Sequence, residues 1–388
     1  MFMRKSKRLL YVDNTTKQIT KQAENSCGDY NIIKRTHDHT IYILCDGIGS
    51  GIKASIAATM CANRINRLID SKLPLPTITK KITKLMSRAK VENIPYSTFT
   101  IIKILNSGQF NIYNYDNPFP FLISKQKCLS FDIDYKSEGK EMIGHAAGRL
   151  YEGDSLIAMS DGVSQAGLGR VSGLGWGVEN IKNYIEHLVQ KGMSNKDLID
   201  SISNIVRDLS GGIFNDDVTI TKLTIRFAKT LNIITGPPKS KKDDKEFVKS
   251  FLSRPGKRIV CGSTTAELVA RYLDEEIEVI ENAPSLSNPP QYSINGIDYV
   301  SEGAVTHNQI YNLLDSNLEN YDNENNVMKI SKLIKNSDHI SIFWGTSENI
   351  AHKDSSFIQM GILERKIILS LIIKKLKALG KTLDINKF

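Results

Sequence analysis

Three short acidic motifs stand at the edges of apolar runs: Asp46-Gly47, Asp161-Gly162 and Asp216-Asp217. A carboxylate at a strand end is short, stiffly aimed and hard. Several converging on one point suit Mg²⁺ or Mn²⁺ better than zinc, which prefers His and Cys. Taken singly each motif is weak, because Asp-Gly is a common turn dipeptide. Asp46 and Asp161, however, each close an apolar stretch, IYILC and SLIAM-Ser160, and do not sit in a polar hairpin tip. A charge set against a core needs a compensating partner, and a shared cation supplies one.

The elements that must carry these acids can be read from hydrophobic period and turn residues. IYILC reads as a strand, GIGSG as a loop and residues 52 to about 69 as a helix, giving a strand-loop-helix unit with an acid at the strand's end. A polar helix over about 78–89 follows, and STFTIIKIL, QFNIYNY and FPFLIS then form consecutive strands divided by turn residues. SLIAM is a further strand, two helices cover about 178–190 and 195–210, and VTITKLTI follows Asp217. Hairpin-connected strands mixed with long helices make residues 1–228 an α+β domain. From 229 to 388 strands and helices alternate, through LNIIT, DKEFVKSFL, RIVC, AELVARYL, IEVI, GIDYV, a helix from His307, HISIFW and a closing helix that stops at Gly380. That pattern predicts a smaller, Rossmann-like α/β domain, with the polar stretch GPPKSKKDDK as a loop inside it.

The whole chain bounds what such domains do. Its 388 residues, 40% hydrophobic, suffice for two cores. No apolar run reaches the roughly 18 residues of a membrane span, and the basic start lacks a signal peptide's hydrophobic stretch, so a cytoplasmic protein is expected. Cys27, Cys45, Cys61, Cys128 and Cys261 stand singly without C-x-x-C spacing, as reduced thiols do. The net charge of +9 is spread along the chain, not gathered in one arm with interleaved aromatics, which reads against a nucleic-acid partner.

The blocks SCGDYNII, LCDGIGSGIKA, YSTFTIIKI, YDNPFPFLIS, EGDSLIAMSDGVSQA and NDDVTITKL, in this order across residues 26 to about 225, resemble the bacterial branch of the metal-dependent PP2C phosphatases, the SpoIIE-like sporulation and stress-response group. The resemblance implies a PP2C-like β-sandwich flanked by helices. It also implies a phosphatase acting on phosphoserine or phosphothreonine of a partner protein in bacterial signalling. Two divalent cations, Mn²⁺ or Mg²⁺, would be held by Asp46, the Gly47 carbonyl, Asp161 and Asp216, with a water bridging the metals as the attacking group. By the same resemblance the segment after Asp46-Gly47 takes part in switching metal occupancy. Where eukaryotic members carry a histidine after the Asp-Gly, this chain has Ile48. The alternative is a catalytically silent phosphoprotein-binding module of the same fold, and a homodimer stays open.

Other positions stand beside this set. Asp29 is an accessory ligand or a loop cap; Asp217, where the family often has Asn, points to hydrogen bonding. Arg170, in the glycine-rich loop that also carries Trp176, offers a cation to a substrate phosphate, or the loop is an ordinary connection. His37, Asp38 and His39 read as a polar turn between strands. In the second domain, Gly262, Ser263, Thr264 and Thr265, together with Glu302, lie at strand-to-helix turns, where free helix amides favour anions. CGSTTAELVARYL, about a dozen residues, looks like the Gly-Thr-Thr loop of sugar-phosphate sensor domains, which implies a phosphorylated small-molecule effector. The competing reading has Ser263, Thr264 and Ser301 merely capping their helices.

Overall fold

The computed structural model describes residues 9–21, 24–170, 173–280, 291–316, 325–347 and 361–388. It divides into two compact units, one of Leu9–Lys34 with Asp38–Phe227 and the other made chiefly of Ala228–Phe388.

The first unit holds two sheets. One has the order β1 (Leu10–Ile19), β11 (Val218–Phe227), β10 (Ser155–Met159), β6 (Phe121–Ser124), β7 (Lys127–Leu129). The other runs β2 (Asp29–Arg35), β3 (His39–Gly47), β4 (Ser97–Leu105), β5 (Gln109–Tyr115), β9 (Glu141–Arg149), β8 (Asp134–Glu138). The central pairings β3–β4, β4–β5, β1–β11 and β10–β11 are antiparallel. Side chains alternate along each strand, and here both faces are covered. Tyr42 and Leu44 of β3 meet Leu156, Ala158, Leu223 and Ile225 of the opposite sheet. Ile41, Ile43 and Cys45 turn the other way, against α1 (Gly51–Asp70) and α2 (Leu75–Val91), through Ala58, Ile65, Ile78 and Ile82. The sheet of β10 and β11 does the same with Ile157, Met159, Val218 and Ile220, which pack on α4 (Val178–Gln190) and α5 (Asn195–Leu209). The result is helix, sheet, sheet, helix, and two-sided burial explains why IYILC and SLIAM read as unbroken apolar runs.

This alternation aims the acids. Asp46 shares the parity of Tyr42 and Leu44, Ser160 that of Leu156 and Ala158, and Asp217 that of Leu223 and Ile225. All three therefore point to the space between the sheets, at strand ends. Asp161 opens the single turn α3 (Asp161–Ser164).

Five strands of the second unit, β16 (Tyr299–Ser301), β13 (Lys257–Cys261), β12 (Thr230–Thr235), β17 (His339–Trp344) and β18 (Thr382–Lys387), run parallel in that spatial order. Antiparallel β15 (Gln291–Ser293) and β14 (Glu278–Val279) extend one edge. α6 (Asp244–Leu252) and α7 (Ser263–Leu273) cover one face. α8 (Ala304–Leu313), α9 (Asn326–Asn336) and α10 (Arg365–Ala378) cover the other. The helix expected to close the chain is followed by β18; Gly380, at φ +74°, turns the backbone from α10 into this parallel edge strand. TLDINK is too short and polar to announce a strand by itself, and its pairing with β17 makes it one.

Leu44→Ala would open a cavity between the two sheets of the first unit. Its unfolding free energy should drop by about 2–5 kcal/mol, read from the urea midpoint at unchanged m-value.

Candidate metal centre

Neither glycine of the two Asp-Gly motifs adopts a positive φ, so neither is there to make a turn. Both permit close approach. A Cβ on Gly47 would lie 2.0 Å from the Ala54 carbonyl oxygen of α1, and one on Gly162 would lie 2.2 Å from the Asp217 carbonyl oxygen. The helix is thereby drawn onto the end of β3, and α3 onto the start of β11. At the end of β3, the Asp46 carbonyl accepts hydrogen bonds from Ser97 Oγ at 2.8 Å and Thr98 Oγ1 at 3.4 Å, while Gly47 N–H donates to the Gly28 carbonyl at 3.0 Å.

The acids fall into two groups. Asp217 is buried and fully occupied: Oδ1 accepts from Lys21 N–H at 3.0 Å and Oδ2 from Gly28 N–H at 2.8 Å. It holds the segment before β2 in place. Asp29 is also buried, with Oδ2 accepting from Ser160 Oγ at 2.7 Å, and Ser160 Oγ in turn accepting from Thr219 N–H at 2.9 Å. Its other oxygen, Oδ1, is buried and makes no close hydrogen bond among the described residues. Asp46, Asp161 and Asp216 are half-buried. Asp161 Oδ2 accepts from Gln165 Nε2 at 2.8 Å, and Asp216 Oδ1 from the Asp217 N–H at 2.9 Å.

Electrostatics show that these carboxyls crowd one another. Burial pushes the Asp46 carboxyl far above the ordinary range, and the charges of Asp29 and Asp161 raise it further, with Asp216 adding to them. Asp29 is raised by burial and by Asp217 and Asp161, against the lowering effect of the Ser160 and Thr219 hydroxyls. Burial also raises Asp216. Among the described residues no three His, Cys, Asp or Glu side chains already stand in ligating positions about one point. The donor set nonetheless fits hard divalent cations: it is all oxygen, desolvated, of one sign, and includes a buried carboxylate oxygen short of close donors.

The remaining candidates separate from this cluster. Arg170 lies against Gly211, where an added Cβ would sit 2.0 Å from its Nη1. Near it, Gly167, Leu168, Ser210, Asn215 and Asp216 border a cavity of about 200 Å³. Trp176 is partly buried and packs against the core with its ring edge-on to Tyr184. His39 Nδ1 and Asp38 Oδ1 stand 2.7 Å apart in the turn between β2 and β3. Sequence reading passed over Ser160, Ser97, Thr98 and Thr219, the hydroxyl residues around the acids. For Ser160 the signal was present in its parity with Leu156 and Ala158.

Residues 36–226 match the family model of stage II sporulation protein E, SpoIIE. The matched span takes in most of the first domain. No curated protein matches the chain in sequence. Solved structures similar to it include the PP2C phosphatase domain with a fragment of the regulatory domain of SpoIIE from Bacillus subtilis. That pair shares 18% identity over 57% of this chain and 64% of the other, at a TM-score of 0.47, so this chain spans less than two thirds of it. Another is RsbX in complex with magnesium, at 19% identity, 55% and 95% coverage and a TM-score of 0.40. A third is a serine/threonine phosphatase from S. agalactiae, at 12% identity, 55% and 99% coverage and a TM-score of 0.42. Among the described residues no helix is long and apolar enough to cross a membrane.

The raised carboxyls of the first domain make its stability depend on pH. Without a divalent cation the folded chain keeps protons that the unfolded chain releases near the ordinary carboxylate value of about 4. Stability in EDTA should therefore fall as pH rises from about 4 through the higher folded values. Asp46→Asn, which carries no proton to lose, should flatten that slope, and Mn²⁺ should restore the native chain on the alkaline side. Urea midpoints across pH, with and without Mn²⁺, check both.

Proposed function

We propose that the first domain is a metal-dependent protein phosphatase that hydrolyses phosphoserine or phosphothreonine on a partner protein in bacterial signalling. The observation that carries this reading is the crowding of Asp29, Asp46, Asp161 and Asp216 at the strand ends of a SpoIIE-family domain, each acid raising or being raised by its neighbours. Two cations, Mn²⁺ or Mg²⁺, would be held by Asp46, the Gly47 carbonyl, Asp161 and Asp216. When bound, such ions lower the pKa of water and offset charge on phosphoryl oxygens.

The protein's own contribution is to hold and to exclude. Ser97 and Thr98 fix the Asp46 carbonyl and with it the end of β3. Ser160 orients Asp29, and Asp217 is a positioning residue, both of its oxygens being taken by backbone amides. No protein nucleophile is called for: burial, with the Asp29 charge beside it, pushes the Cys27 thiol up to about 12, so it stays protonated and unreactive at neutral pH. Ile48, 38% exposed beside the acids, has no proton to give a leaving seryl oxygen.

Hydrolysis of a phosphoserine peptide, with and without Mn²⁺, tests the assignment. The native chain should be active only with the metal, and Asp46→Ala and Asp161→Ala should each lose on the order of 10²-fold or more. Equal rates in all three proteins would end the phosphatase reading and leave a phosphoprotein-binding module. The loop after Gly47 should matter as well. Gly49 and Gly51 have φ of +118° and +62°, and a Cβ on Gly51 would meet Glu24 Oε2 at 2.4 Å. Gly49→Ala and Gly51→Ala should both slow hydrolysis, Gly51→Ala more; native rates in both would remove the loop from the mechanism.

A further inference from the structure

The second unit contains a cavity of about 270 Å³ bordered by the loops that follow β12, β13, β16 and β17. These are the carboxyl ends of adjacent parallel strands. β12 comes first in the chain, with β13 placed on one side of it and β17 on the other, so the strand order reverses there. A crevice outside strand carboxyl ends at such a reversal is where open parallel sheets take ligands.

The walls of this cavity are rich in donors. α7 begins with the amides of Ser263, Thr264 and Thr265, ahead of its first helical hydrogen bond, from Ala266 N–H to the Gly262 carbonyl at 2.9 Å. No side chain caps α7, so the expectation that Ser263 and Thr264 serve as caps fails; Gly262, at φ +107°, occupies the cap position. Ser301 does not cap either, since its hydroxyl is shared with that of Thr306 at 2.7 Å. α8 differs from α7, because Glu302 Oε2 accepts from Val305 N–H at 3.1 Å. The α7 amides therefore border the cavity with no carboxylate upon them among the described residues.

Two further groups point to what fills it. The Thr235 side chain, at the end of β12, is fully buried, lines the cavity, and its Oγ1 has no hydrogen-bond partner among the described residues. A buried hydroxyl left unpaired carries a desolvation cost that a ligand atom would remove. Arg365, at the start of α10, reaches the same cavity half-buried, packed against Gly236 and donating through Nη2 to the Ser347 carbonyl. No carboxylate pairs with its guanidinium among the described residues.

We propose that this cavity binds a small phosphate monoester, with the phosphate held by the α7 amides, the Arg365 guanidinium and the Thr235 hydroxyl. The number of donors exceeds what the two oxygens of a carboxylate can use and matches the three terminal oxygens of a phosphate. Glu302, which lines the same cavity, accepts from a hydroxyl on the rest of the ligand. The proposal is independent of the phosphatase assignment.

The test is calorimetric titration of inorganic phosphate and of glycerol 3-phosphate into the full chain in EDTA, with glycerol and glycerate as controls. Both phosphate compounds should bind saturably, glycerol should not, and glycerate should bind more weakly than glycerol 3-phosphate. Arg365→Gln should weaken binding by about tenfold or more, Thr235→Val by several-fold, and Asp161→Asn not at all. Thr235→Val replaces an unpartnered hydroxyl by a methyl of the same shape, so its melting temperature should hold or rise, which separates lost binding from lost fold. The proposal is overturned if neither phosphate compound binds saturably, if binding survives both Arg365→Gln and Thr235→Val, if Asp161→Asn abolishes it, or if glycerate binds as tightly as glycerol 3-phosphate.

Discussion

Several carboxylates share the desolvated end of a β-sandwich, and the first domain is arranged around that constraint. Like charges in a medium of low polarity repel strongly and lose hydration together. A fold that brings Asp29, Asp46, Asp161 and Asp216 within electrostatic reach must hold them there by other means. The means are visible: Ser160 on Asp29, Gln165 on Asp161, the Asp217 amide on Asp216, and the backbone amides of Lys21 and Gly28 on Asp217. Asp46 stands out because no neutral donor offsets its burial, and it sits where the neighbouring acids contribute most. The centre of the cluster is thus the position with the strongest demand for a cation.

The two Asp-Gly motifs show how this crowding is made compatible with chain packing. Their glycines have ordinary backbone angles, so the usual turn explanation does not apply. Their use is the absence of a Cβ, which lets the Ala54 carbonyl and the Asp217 carbonyl come against the strand ends. The same close packing gives each acid a short, rigid tether, since strand, glycine and following helix leave little slack. Precision of that kind is what a site assembled from four separate chain segments needs.

Much of this was legible in the sequence wherever burial is two-sided. STFTIIKIL, QFNIYNY, SLIAM, HISIFW and the helix Val178–Gln190 coincide with their elements because apolar period and turn residues agree there. The strands that escaped reading are edge or half-exposed ones. β8 is almost wholly solvent-facing, β7 is three residues long, and β1 alternates with polar residues whose register comes from ten pairings with β11. At the site, the acids announced themselves by charge next to apolar sequence. The hydroxyl residues that orient them did not, because Ser and Thr are common and only the three-dimensional register shows which of them face inward. Thr235 and Arg365 were silent for the same reason: they lie 130 positions apart (365 minus 235) and meet only through the parallel sheet.

The two domains carry unsatisfied groups of opposite kind. In the first, the excess is of acceptors: Asp29 Oδ1 makes no close hydrogen bond among the described residues, and the Asp46 carboxyl is raised by its surroundings. In the second, the excess at the cavity is of donors: the α7 amides are uncapped, Thr235 Oγ1 is unpaired, and Arg365 faces no carboxylate among the described residues. Buried polar groups in a stable fold are satisfied as a rule, so an orphan at the end of a strand carries information about sign. Acceptors without donors call for cations, and donors without acceptors call for anions. Both sites lie where strands end and helices begin, which is where a sheet leaves side chains and free amides facing outward from a rigid base. The β-sandwich supplies carboxylates at such ends and the parallel sheet supplies helix amides. The difference in what each domain attracts therefore follows from which backbone groups its strand-to-helix connections leave unpaired.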